Sequence, residues 1–129
     1  MAARRLPQPT DAELDILAVL WQRGPSTVRE VHDELEREHP VRYTTTLKQM
    51  QVMFERGLLL RDESQRAHVY RPAVPEERAL RQFTRDLLER AFGGSAEKLV
   101  MHALQARRVK PEELERIREL LNELEEGRQ

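Results

Sequence analysis

Cysteine is absent from the 129-residue chain, which excludes disulfides, cysteine nucleophiles and thiolate metal sites together and agrees with a reducing cytoplasm. No apolar run approaches the length that spans a bilayer, so direct membrane insertion is not expected. The opening stretch, MAARRLPQPT, has arginines but no apolar run behind them, so neither a signal peptide nor a twin-arginine export signal is expected there. The formal net charge is −1, so a nucleic-acid or membrane site must be a local patch rather than a property of the whole chain. Catalytic signatures are missing too: there is neither a glycine-rich phosphate loop nor a nucleophile elbow. His32, His39, His68 and His102 show no i, i+3 or i, i+4 pairing. The carboxylates fall on exposed helix faces. The sequence therefore predicts no enzyme, no metal and no cofactor.

What is present is periodic. Charged residues make up 35% and hydrophobic ones 39%, too apolar for a disordered chain. The length allows one ordinary domain, or a small domain with an appendage that needs help to fold. Thr10 and Glu13 form a capping box, and Leu14, Leu17, Ala18 and Trp21 then fall at i, i+3, i+4 and i+7, predicting a first helix over about residues 11–22 with Trp21 in the core. Thr27 and Glu30 repeat the box, and a second helix should run to about residue 38 with Val28, Val31 and Leu35 inward. Its outer Glu34, Glu36 and Glu38 should keep it from lying along phosphates.

The central stretch is residues 41–57, VRYTTTLKQMQVMFERG. Thr46, Met50 and Met53, with Leu47 and Phe54 beside them, make a buried stripe. Thr44, Lys48, Gln51 and Glu55 face the other way, with Thr45 and Val52 on one flank. Threonine is a poor helix former, yet its hydroxyl and methyl suit phosphate oxygens and base edges. The spacing thus marks a reading helix, with Thr44 expected both to cap it and to touch phosphate. Arg42 stands at its entry, and Tyr43 is expected to pack against the second helix. Gly57 closes it where a left-handed residue is wanted. Residues 58–62 and 67–71 read as two strands of a hairpin, and a third very short strand is expected beside Ser26 and Thr27. Arg66 and His68 at the hairpin either reach a nucleic-acid backbone or decorate a turn. Between residues 40 and 72, Arg42, Lys48, Arg56, Arg61, Arg66 and Arg71 outnumber Glu55, Asp62 and Glu63, a small local positive excess.

Three helices and a hairpin in this order make a winged helix-turn-helix, whose third helix enters the major groove. The fold class is mainly α with a small β-hairpin wing (α+β). Beyond the boundary at residues 73–75 come three more helical patterns: Leu80, Phe83 and Leu87, ended by Gly93-Gly94; Leu99 to Leu104 behind a Ser95 cap; and Leu114, Ile117, Leu121 and Leu124 behind Pro111. Their narrow stripes, almost without aromatics, rarely hold a core alone. Residues 1–75 thus read as the DNA-binding domain and 76–129 as a helical dimerisation domain. A protein-interaction adaptor without specific DNA binding is the alternative from another class.

The segments PTDAELDILAVLW, RYTTTLKQMQVMFERGLL and RAHVYRP, each at the expected distance from the next, resemble the BlaI/MecI family of bacterial winged-helix repressors, which includes the copper-responsive CopY type. The resemblance implies a homodimer held by C-terminal helices on a near-palindromic double-stranded operator, controlling β-lactam-resistance or other stress genes. It also implies release by proteolysis in the C-terminal region, triggered indirectly by a membrane metalloprotease sensor. Thr44, Thr45, Lys48 and Gln51 would face the groove, Arg42 would anchor the entry, and Arg66 and His68 would sit at the wing. Three features depart from the family. Lys48 and Val52 stand where threonine and arginine are frequent, Val100-Met101-His102-Ala103 stands where the penicillinase repressors are cut between asparagine and phenylalanine, and the CopY cysteine-rich tail is missing.

Overall fold

A computed structural model describes residues 5–128. Residues 1–4, part of the stretch where no leader is expected, lie outside the described residues, as does Gln129. Helix α1 (Asp11–Arg23) starts where expected because Thr10 and Glu13 satisfy each other's backbone N–H groups, at 2.9 and 3.2 Å. Its inward side buries Ile16, Leu17 and Leu20, and half-buried Trp21 packs against the same core. Gly24, at φ 91°, turns the chain into strand β1 (Ser26–Thr27). The second capping box, Thr27 with Glu30, starts α2 (Val28–Glu36), which buries Val28 and Val31.

Helix α3 (Tyr43–Glu55) buries Thr46, Met50 and Met53, the stripe its spacing predicts. Burying each methionine contributes roughly 1.5–3 kcal/mol. Its N-cap is Arg42, not Thr44: the Arg42 carbonyl accepts from Thr45 and Thr46 N–H at 3.1 and 3.2 Å, so Thr44 already lies in the first turn and caps nothing. The earlier start follows from Tyr43, whose ring packs edge-on against His32 of α2 and draws residue 43 into the helix. Gly57 at φ 84° ends the segment. Strands β2 (Leu59–Asp62) and β3 (Val69–Pro72) form the hairpin, and β1 joins it to give the order β1-β3-β2, all antiparallel. Ser26 faces Tyr70 and Arg61 faces Tyr70 from the other side, which places the buried Tyr70 in the middle of the sheet.

The remaining helices are α4 (Glu76–Arg90), α5 (Ala96–Ala106) and α6 (Pro111–Glu126). The chain divides into two compact units, one ending at Arg85 and one beginning at Asp86. The first unit takes in the start of α4: Ala79 is buried, Phe83 packs on the core, and the Gln82 amide accepts from Leu6 N–H at 3.0 Å and donates to its carbonyl at 2.7 Å. In the second unit Ser95 caps α5 by accepting from Lys98 N–H at 3.1 Å, and the Phe92 ring lies 5.7 Å from that of His102. No residue of α5 or α6 is fully buried. Leu99, Leu104, Leu114 and Ile117 are half-buried, whereas Leu87, Val100, Met101, Leu120, Leu121 and Leu124 are exposed. No described helix is long and apolar enough to cross a membrane.

Candidate nucleic-acid interface

Helix α3 is pinned at both ends. Near its start the Thr46 hydroxyl lies 3.3 Å from Nδ1 of His32, which is 4% exposed and whose Nε2 lies 3.2 Å from Glu36. At its end Arg56 reaches back to α1. Its guanidinium donates to the Glu13 carboxylate, at 2.6 Å to Oε2, and to the Gln8 carbonyl at 2.9 Å. Glu13 is 5% exposed. Burial pushes its carboxyl up, but hydrogen bonds from Arg56 and Thr10 and the nearby guanidinium charge outweigh that and hold it below the ordinary carboxylate range.

A helix fixed in this way presents one face to solvent. Thr44, Thr45, Lys48, Gln51, Val52 and Glu55 are all exposed, as the period predicts. Two hollows flank that face. One of about 470 Å³, beside the start of α1, is lined by Thr44, Thr45, Lys48, Gln49 and Val52 together with Thr10 and Glu13. The other, about 240 Å³, brings Gln51 together with Arg66 and His68 of the wing. Arg42 is exposed at the N-cap and lines neither. Among the described residues, the side chains of Arg42, Lys48 and Arg66 enter no hydrogen bond or ion pair.

The local positive excess is smaller than the sequence count. Arg56 is neutralised by Glu13, and Arg61 lies 4.0 Å over the Phe54 ring with its guanidinium 2.7 Å from Glu63. Both are cations that hold the fold. Tyr43 packs against α2 as expected. The contact on its other side was not legible: Arg29 lies over the ring, 4.1 Å from its centroid. The available signal was a cation two residues after the Thr27 cap, on a helix otherwise read as acidic.

His32, Asp33 and Glu36 bring possible ligand atoms within 4.8 Å of one another. Both acids are exposed, and His32 already has Thr46 and Glu36 on its two nitrogens, so this group is accounted for as a packing contact between α2 and α3.

Comparison with known proteins adds a lineage to this geometry. The profile described as penicillinase repressor matches residues 9–123. The transcriptional regulator BlaI of Mycobacterium tuberculosis is 31% identical over 125 residues, covering 95% of this chain and 89% of that protein. The penicillinase repressor of Bacillus licheniformis is 24% identical over 120 residues, covering 93% and 94%. The solution structure of the DNA-binding domain of the repressor BlaI is similar at a TM-score of 0.51 and 27% identity, over 57% of this chain and 90% of that one. The Bacillus licheniformis BlaI monomeric form in complex with the blaP half-operator gives 0.50 and 27%, over 57% and 89%.

Proposed function

The chain belongs to the penicillinase repressor family of DNA-binding transcriptional repressors, and on that premise we propose that it acts as a cytoplasmic homodimer on a near-palindromic operator with α3 in the major groove. The family is one of repressors rather than enzymes. The observation that carries the reading is the division of α3. One face is locked into the core by Thr46, Met50 and Met53, and the other offers Thr44, Thr45, Lys48 and Gln51 to a groove beside a wing bearing Arg66 and His68. Two-fold symmetry sets paired α3 helices about 34–36 Å apart or a multiple of it, so the operator is an inverted repeat. Residues 1–75 carry DNA binding in this reading, and residues 76–129 carry dimerisation through Leu80, Leu87, Leu114, Ile117, Leu121 and Leu124; Phe83, expected in the same set, packs instead on the core of the first unit.

A gel shift on the DNA upstream of the protein's own gene tests the repressor. No shift at low salt would sink it in favour of a protein-binding adaptor. Within a bound complex, Lys48→Ala is expected to weaken operator binding by about 1–3 kcal/mol and to flatten the preference at one base pair. Competition with single-base operator variants measures both. Equal loss on every sequence, with a shallower salt dependence, would make Lys48 a phosphate contact instead.

Control of β-lactam-resistance or other stress genes, and release by proteolysis downstream of a membrane metalloprotease sensor, belong to the same proposal. The segment at the family's cleavage position, Val100-Met101-His102-Ala103, is exposed but lies inside α5, so cutting there requires α5 to open first. A membrane metalloprotease encoded beside this gene, and a repressor fragment ending within α5 after induction, would support the proteolytic step. An intact repressor under inducing conditions removes the proteolytic step and leaves the DNA-binding assignment in place.

A further inference from the structure

Arg29 and its surroundings form a positively charged recess that the groove-facing set of α3 does not include. The guanidinium carbon lies over the Tyr43 ring, 4.1 Å from its centroid, a cation–π contact. Tyr43 is in turn fixed by the edge of buried His32, with ring centroids 5.5 Å apart and planes at 86°. A contact of this kind restrains the guanidinium without using its N–H groups. Among the described residues, Arg29 enters no hydrogen bond or ion pair.

The same residue lines the hollow of about 240 Å³ that also receives Arg66 and His68 from the wing and Gln51 from α3. Two arginines and a histidine converge there on a chain of net charge −1, and none of the lining residues is a carboxylate. A concavity with that chemistry suits an oxyanion, and its border with the exposed face of α3 identifies which one. We propose that this hollow seats a backbone phosphate of the bound duplex, with Arg29, oriented by Tyr43, as its principal donor. Arg29 is then a positioning contact that fixes the register of α3 and reads no base. Thr27 lines the hollow too, but its hydroxyl already donates to the Glu30 carboxylate at 3.2 Å, so it is not the donor. The acids of α2 do not oppose the assignment, because Glu30 is paired with Arg23 and Glu34 with Arg37, and neither these nor Asp33 and Glu36 line the hollow.

The inference rests on the placement of α3 in the groove, and its test separates the two. Dissociation constants of the full-length protein are measured over a salt series for the duplex upstream of its own gene and for an unrelated duplex of equal length. Arg29→Ala is expected to weaken both by a similar factor, about five- to tenfold near 0.1 M salt. The slope of log affinity against log salt should become shallower by about 0.9. Arg29→Lys should keep the wild-type slope and recover part of the affinity, since an ammonium retains the charge and loses the planar stack. Unchanged affinity and slope in Arg29→Ala, alongside normal wild-type binding, would overturn the phosphate seat while leaving the repressor reading intact. Loss confined to the upstream duplex with an unchanged slope would make Arg29 a base reader and overturn it as well. Failure of the wild-type protein to bind either duplex removes the groove reading, and the phosphate seat with it.

Discussion

Replacing Leu121 and Leu124 with glutamate is expected to convert the full-length protein to a monomer and to weaken operator binding by about a hundredfold or more, because two half-site contacts then no longer act as one. Both leucines are more than half exposed, at 53% and 57%, on a helix without a single fully buried residue. Leu120, on the same helix, and Val100 and Met101 on α5 are also exposed. The second unit therefore leaves apolar surface uncovered, and that surface is what supports the proposed dimer. Covering the remaining area of one such leucine contributes roughly 1 kcal/mol, counted once for each copy, and a buried unpaired glutamate reverses the sign. Sedimentation equilibrium gives the oligomeric state, and a gel shift gives the affinity. A double variant that stays dimeric would move the interface to α4. There, exposed Leu80 and Leu87 remain available, whereas Phe83 already packs on the core of the first unit.

Local chemistry was legible and long-range pairing was not. The two capping boxes, the stripe of Thr46, Met50 and Met53 and the hairpin follow from spacing alone, because each depends on neighbours within a turn or across a short loop, whereas the third strand, which pairs Ser26 with Tyr70, was expected only because a lone hairpin is marginal in water. The start of α3 was misplaced by two residues. Threonine is the better cap by propensity, and a tyrosine packing against His32 from a different helix outweighed that preference. The functional surface divides along the same line. That Thr44, Thr45, Lys48 and Gln51 share an exposed face follows from the helical period. That Arg56 is neutralised by Glu13, that Arg61 folds over Phe54, and that Arg29 is held on Tyr43 each depend on which helices touch. A charge count along the chain cannot tell a cation that binds a phosphate from one that binds the fold.

Arg56→Ala is expected to cost about 2–3 kcal/mol of folding stability at neutral pH, because it leaves the buried Glu13 carboxylate without its strongest donors. The pH dependence makes this specific to the pair. In the folded wild-type chain the Glu13 carboxyl titrates below its ordinary value of 4.5. Its contribution is therefore fully present above that value and is lost as pH falls through the folded value. Glu13→Gln should accordingly flatten the wild-type loss of stability in that acid range. Without Arg56 only the Thr10 hydrogen bonds are left to oppose burial, so the charged form is less favoured in the folded state than in the wild type. The deficit of Arg56→Ala should then be largest at neutral pH and shrink as the carboxyl is protonated towards pH 4. Urea unfolding at pH 7 and pH 4 measures it, and a deficit that is constant with pH would show that Arg56 acts by packing rather than through Glu13. The same variant weakens DNA binding only indirectly. Arg56 does not line the hollows beside the exposed face of α3, so any loss of affinity arises from the freed C-terminal end of that helix. A binding defect that disappears under conditions restoring full folding therefore assigns Arg56 to holding α3, and one that persists assigns it to the DNA.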